Sequence, residues 1–398
     1  MGSMISLSVG RIDIDWGKNE FFINHLDLFQ TGDEGVNDYH YVAEDDTPVV
    51  ESQACLGRPL GRVRARLDML GYTTASLESR LADWFGDDDD VQSPSLDAFK
   101  HALRTFDWRY GGDAYIDFEE ALRIAYAQAP GSNVPSSVDP RFIASERLLD
   151  PYLVLRVLAD MEEYSDLRVC WNFADVRDGE YVDASSFEVA PPGSRWMVVT
   201  EGSSDAFVLQ QALQKTHPDI ADFFDFIDMS TGNPFPGVGN LVVFCKGLSR
   251  IRYTGNMLLV LDNDSAGRKA LAELQALGLP ASVVVTCLPE LEQLRKFRTL
   301  GPTGENIEDV NGRASAIECF LDLAGGSTNP PTVRWTSYVP QIQQYQGELI
   351  DKDGYVADFK KRAGRDDTYD WSKLQLLWQH LVNCCTASAR FSTIPAIR

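Results

Sequence analysis

Polar and apolar residues alternate at the start of the chain: Ile5, Leu7 and Val9, then Ile12 and Ile14 beyond Gly10. A period of two puts such residues on one face of a strand. The period then lengthens. "GRVRARLDMLGY" (61–72), "SLESRLADWFG" (76–86) and "SLDAFKHALRTF" (95–106) carry helical spacing, the last with Ser95 as its N-cap and Asp97 in the first turn. "DFEEALRIAYAQA" (117–129), capped by Asp117, and "ERLLDPYLVLRVLADMEEY" (146–164), helical before or after Pro151, predict further helices. "DDDD" (87–90) with "SPS" (93–95), and "QAPGSNVPSSVDP" (128–140), predict loops. After "APPGS" (190–194) the pattern changes to short apolar runs separated by helical stretches. "RWMVV" (195–199), "FDFIDM" (224–229), "LVVFC" (241–245), "MLLVL" (257–261) and "ASVVVTC" (281–287) predict strands. "SSDAFVLQQALQKTH" (203–217), capped by Ser203 or Ser204, and "SAGRKALAELQALG" (265–278) predict helices.

Alternating strands and helices imply a parallel sheet covered on both faces, as the continuous apolar strands also require. The expected fold is therefore α/β, divided into an acidic mixed α+β part over 4–193, an α/β domain over 194–330 and, beyond "AGGSTNPP" (324–331), a helical tail over 331–398. Met-Gly-Ser before Met4 is set aside. No apolar run reaches the roughly 18 residues a membrane span needs, and no segment reads as a signal peptide. Seven scattered cysteines without a C-x-x-C pair fit a reducing, cytoplasmic setting.

Charge narrows the function. The net charge is −23. Residues 1–193 hold 36 acidic and 16 basic side chains, and residues 194–398 hold 23 and 20. The first half is unsuited to holding a polyanion. Nucleic acid, if bound, falls to the second half, with help from a metal ion.

The chemistry concentrates at two strand ends. "MLLVL" runs into Asp262-Asn263-Asp264 and then Gly267. Period-two geometry places Asp262 and Asp264 on one side, with Asn263 pointing away. Ligands of parallel α/β sheets bind at carboxyl ends of strands. Two carboxylates so close repel each other, and a hard divalent cation such as Mg²⁺ relieves that. "RWMVV" likewise runs into Glu201-Gly202, with Asp205 four residues further on. Taken singly, an Asp-x-Asp is a common surface loop, Glu-Gly is a common turn, and Asp205 complements a helix N-terminus. Together they predict an acidic cluster of Glu201, Asp262 and Asp264, with Asp205 close by.

"VVTEGSSDAFVLQQAL" and "LLVLDNDSAG" resemble the Toprim domain of topoisomerases, primases and overcoming-lysogenization-defect nucleases. "IDWGKNEFFINHLDLF", "RPLGRVRARLDMLGYT", "GPTG" (301–304) and "DVNGRASAIECFL" (309–321) resemble HEPN/Toprim-associated proteins, over most of residues 4–322. The resemblance implies a Rossmann-like Toprim sheet. It makes Glu201 an acid/base or metal ligand, and Asp262 and Asp264 ligands of Mg²⁺ or Mn²⁺. In the nuclease branch a later acid completes a second metal site; Glu308, Asp309 and Glu318 are available here, and Glu318 is favoured. The resemblance also implies a bacterial anti-phage effector or toxin, with a sensor or antitoxin partner or self-association.

The HEPN label implies an RNase motif of Arg, four to six residues and His. None of His25, His40, His101, His217 or His380 has an Arg at that spacing, so the N-terminal half reads as structural or regulatory. No Cys/His cluster suits a primase zinc module, and nothing suggests a topoisomerase tyrosine domain. Two classes remain: a metal-dependent nuclease, and a non-catalytic regulatory or scaffold component that binds metal or nucleotide. Lys246, Lys360, Lys361, Arg362 and Arg365 are the candidate contacts to a nucleic-acid backbone, although such runs are commonly just solvated faces.

Overall fold

The computed structural model describes residues 3–43, 45–85, 95–118, 150–227, 237–251, 253–324, 330–340 and 343–388. The chain forms two compact units, Met1–Gly193 with Arg390–Arg398, and Ser194–Ala389. None of the described helices is long and apolar enough to cross a membrane.

The first unit is built on β1 (Met4–Val9), β2 (Ile12–Lys18), β3 (Glu34–Val42), β4 (Pro48–Pro59), β5 (Ile116–Asp117) and β6 (Arg168–Asn172), in the order β3-β4-β6-β1-β2-β5. β1 and β2 pair antiparallel around Gly10, whose φ of +59° suits glycine. The alternation read from the sequence sets the faces. Ile5, Leu7 and Val9 join Trp171, Val169 and the Leu60–Met69 and Pro151–Leu158 helices in one core. Ser6 and Ser8 face the other way, where both hydroxyls meet the Asn172 amide, at 3.4 and 3.3 Å.

Of the two placements expected around Pro151, the described helix follows it, and Pro151 is its first residue. Asp150 is the cap, accepting from the Tyr152 and Leu153 N–H groups, and Pro at the first position has no N–H to orphan. The whole helix is buried, including Arg156, whose guanidinium meets Asp68 at 2.9 Å and Asp160 at 2.7 Å. Ser95 caps its helix as expected, accepting from Ala98 N–H. The helix expected after Asp117 lies outside the described residues beyond 118. His25 is buried, bonded to Asp15 at 2.8 Å and Tyr152 at 3.3 Å; its partners are internal and structural.

The second unit contains β7 (Trp196–Val199), β8 (Phe224–Phe226), β9 (Asn256–Leu261) and β10 (Val283–Cys287) in one sheet of order β10-β9-β7-β8, parallel throughout. Met257, Leu259 and Leu261 pack on the Val238–Ile251 and Ser265–Gln275 helices. Leu258 and Val260 point to the opposite face. On the Ser203–Thr216 helix the Leu209 carbonyl accepts from the buried Trp378 indole at 2.9 Å.

Two expectations need correction here. "LVVFC" is not a strand; it lies within the Val238–Ile251 helix. Leu241, Val242, Cys245 and Leu248 are buried while Val243 is 66% exposed, so the run buries one helical stripe rather than two strand faces. The segment from 331 is not simply helical either. It opens as a hairpin, and a second sheet of order β12-β11-β13-β14 forms from β11 (Phe297–Gly301), β12 (Gly304–Glu308), β13 (Val333–Val339) and β14 (Gln344–Leu349). "GPTG" is the turn joining β11 to β12, with Gly301 paired to Gly304. The Lys352–Arg362 and Ser372–Ser388 helices follow.

Candidate metal centre

The order β10-β9-β7-β8 puts a topological switch between β7 and β9. From β7 the chain moves to β8 on one side, then returns to β9 on the other. Ligand crevices of parallel sheets open at the carboxyl ends of strands at such points. Val199 pairs with Leu259, so Glu201 and Asp262 leave adjacent strands almost level. The Asp262 backbone N–H donates to the Glu201 carboxylate, joining the two strand ends directly.

After Glu201 the chain turns into the Ser203–Thr216 helix. The cap is Gly202, not Ser203 or Ser204, and Asp205 reaches back to accept its N–H at 3.1 Å. Ser204 Oγ donates to the other Asp205 oxygen at 3.2 Å. Beyond the end of β9, Asp264 is the N-cap of the Ser265–Gln275 helix, its Oδ1 accepting from Gly267 N–H at 2.7 Å. Gly267 is needed for close approach, because a Cβ there would lie 2.1 Å from the Asp262 carbonyl oxygen. Asn263 is buried; its Oδ1 accepts from Arg268 Nε at 2.9 Å, and Arg268 also pairs with Glu290.

The third acid arrives by a separate route. The backbone of Asn263 bridges to Ser315, which brings the following Ile317–Phe320 turn and its buried Glu318 to the same place. Of the three late acids, Glu318 is the one that faces the cluster, through the charges of Asp205 and Asp262. Glu308 is used elsewhere, by Thr299, Trp335 and Arg313. Asp309 accepts from the Asn311 N–H at 2.9 Å.

The electrostatics follow from this crowding. Asp262 keeps some accessible surface, yet protein surrounds it closely. Desolvation first, then the charges of Asp205, Glu201, Asp264 and Glu318, raises its pKa well above the carboxylate range. Burial pushes Glu201 up to about 7; the Asp262 N–H opposes this, and Asp264 and Asp205 add to it. Burial and the Glu318 charge push Asp205 up to about 6 against its hydrogen bonds and the nearby Lys352. Cys287, closing β10, is held up at about 11 by burial, and the charges of Asp264, Asp262 and Glu201 contribute.

All five acids predicted for the site therefore interact. Their oxygens are the donors that Mg²⁺ and Mn²⁺ take, and their mutual repulsion is what a cation would relieve. Among the described residues, no three His, Cys, Asp or Glu side chains are drawn together as ligands of one ion. Asp205 and Asp264 direct their oxygens to N–H and O–H donors instead. The donor chemistry thus fits a hard cation.

Sequence reasoning missed Gln346 and Lys352. Gln346, on β14, bonds both Asp264 and Ser265. Lys352 opens the Lys352–Arg362 helix beside Asp205. The basic candidates do not form one open patch. Lys246, on a helix rather than after a strand, pairs with Glu273 at 2.7 Å. Arg362 is held by Asp322, Asp358 and Asp366 at 3.0, 3.1 and 2.9 Å. Lys360 lies over the Phe207 ring at 5.3 Å, while Lys361 and Arg365 are exposed.

Residues 1–194 match the model of the family HEPN/Toprim N-terminal domain 1. No curated protein and no solved structure matches the chain.

Proposed function

In a chain that carries a HEPN/Toprim N-terminal domain, we propose that the Ser194–Ala389 unit is a Toprim-like nuclease that hydrolyses nucleic-acid phosphodiester bonds with Mg²⁺ or Mn²⁺. One observation carries this reading. Glu201 and the Asp262/Asp264 pair leave adjacent parallel strands at the switch point, and each raises the cost of charging the other. Asp262 and Asp264 would hold the ion, with Glu201, Asp205 and Glu318 alongside. The ion would supply Lewis-acid stabilisation of the phosphoryl oxygens and lower the pKa of water.

Glu201 is the proton carrier in this scheme. In the metal-free chain burial holds it at about 7, close to the neutral pH at which a general acid/base exchanges a proton. It accepts a proton from the attacking water as the new O–P bond forms, and returns one to the oxygen that leaves as the old P–O bond breaks. No covalent nucleophile takes part. The expected setting is a bacterial anti-phage effector or toxin. Its −20 N-terminal half, from 16 basic against 36 acidic side chains, would face a sensor or antitoxin rather than nucleic acid.

A scaffold that binds metal or nucleotide without chemistry is the second reading. The commitment of the Asp205 and Asp264 oxygens to other donors favours it. Purified chain incubated with plasmid, single-stranded DNA, RNA and tRNA in Mg²⁺ or Mn²⁺ separates the two. Cutting that Asp262→Ala and Glu201→Ala abolish is the expected result. If every substrate stays intact with each metal, the nuclease reading falls and the scaffold stands.

A further inference from the structure

Gln346 lies 82 positions along the chain from Asp264. Its side-chain amide nevertheless makes two bonds to one short stretch of the candidate site. Oε1 accepts from the Ser265 backbone N–H at 2.9 Å, and Nε2 donates to Asp264 Oδ2. The other Asp264 oxygen accepts from Gly267 N–H at 2.7 Å. Both oxygens are thereby held and the plane of the carboxylate is fixed. A carboxylate oxygen has two lone pairs, so each keeps one for a further ligand.

The strand that presents Gln346 is itself tied to the site. The Gly347 N–H donates to the Arg313 carbonyl at 3.0 Å, and two residues on, Ser315 bridges to Asn263. Gln344 and Tyr345, which precede it on β14, are exposed, whereas Gln346 is half-buried and Gly347 after it is buried. The chemistry of the pair calls for an amide. Ser265 N–H needs an acceptor and Asp264 needs a donor. A glutamate at 346 would set a carboxylate against a carboxylate, and an apolar side chain would leave both groups unmet.

We propose that Gln346 is a positioning residue, which sets the orientation of Asp264 for a divalent cation. The inference rests on the metal reading above and adds that the Gln344–Leu349 strand, outside the parallel sheet, is part of the site. Residues that orient a metal ligand without touching the ion change affinity by about 10- to 100-fold when removed.

The test is Mn²⁺ titration of the full chain, followed by calorimetry and by electron paramagnetic resonance of free Mn²⁺, with the melting temperature of each metal-free variant recorded beside it. Gln346→Met matches the side chain in length and removes both bonds. The expected result is a Kd for Mn²⁺ raised about tenfold or more, with a metal-free melting temperature close to that of the wild type. Gln346→Asn, too short to span both partners, is expected to give a smaller rise, and it decides the matter if the Met variant does not fold. A staple for the hairpin alone would lower the melting temperature and leave Kd unchanged; that outcome overturns the proposal and spares the metal reading. A wild type that binds no Mn²⁺, or binds it equally with Asp262→Asn, overturns both.

Discussion

Gly267→Ala puts the strand-to-helix turn to a test whose sign is set by the structure. A Cβ at 267 would stand 2.1 Å from the Asp262 carbonyl oxygen, about 0.9 Å inside the 3.0 Å limit that real Cβ contacts respect. The obstacle is backbone, so no rotamer change relieves it. Within a helix, alanine is ordinarily better than glycine by about 1 kcal/mol. Overpacking a well-fitted site costs about 1–3 kcal/mol, and more where backbone must move. The clash outweighs the propensity gain, leaving a net loss of about 2 kcal/mol. For a unit of this size that is a fall of about 4–8 °C in melting temperature. Thermal unfolding by circular dichroism in EDTA measures it, and Mn²⁺ affinity should drop with it because Asp262 must shift. An unchanged or higher melting temperature would show that the turn does not hold Asp262 against the helix.

Two further outcomes are expected. Glu201 and Asp205 have raised pKa values in the folded chain, about 7 and about 6, so it binds more protons than the unfolded chain between roughly pH 4 and 7, and their contribution to stability falls as pH rises through that window. Metal-free Glu201→Gln should therefore melt above the wild type at pH 8 and lose most of that advantage at pH 5; parallel pH profiles would contradict the burial of Glu201. Trp378→Ala removes a fully buried indole bonded to Leu209 and should cost about 3–5 kcal/mol in urea unfolding, whereas a loss below about 1 kcal/mol would make the segment beyond 331 a loose appendage.

The Ser194–Ala389 unit was legible wherever one residue type had one job. Apolar runs that are buried on both faces, such as "MLLVL", can only be central strands or buried helices, and the acids at their ends mark the carboxyl edge. "LVVFC" has the same composition and a different fate, because five residues are too few to separate a helical stripe from a strand; the exposure of Val243 decides it, and exposure is not written in the run. Gly202 stood in plain sight as a cap, but serine is the commoner one and drew the eye. Gln346 carried no local signal at all. A glutamine in a polar hairpin is unremarkable until β14 places it against Asp264. Glu318 needed both a resemblance and the Asn263–Ser315 bridge. In the N-terminal half the alternation of Ile5 to Ile14 marked strand, as β1 and β2 are, while the pairing of β1 with β6, from opposite ends of that half, is a long-range choice that no local pattern records.

The acids and the amide of the candidate site come from residues 201, 205, 262, 264, 318 and 346, and translation delivers them in that order. A nascent chain acquires its most conspicuous acids well before the residue that steadies one of them. A product of premature termination or frameshift between residues 265 and 345 carries the Asp-Asn-Asp turn without a complete second sheet, without Gln346 and without the Trp378 that covers the Ser203–Thr216 helix. For a protein proposed to act as a toxin, an unfinished chain is thus an incomplete weapon, and the cell meets the assembled site only after Gln346 has been made.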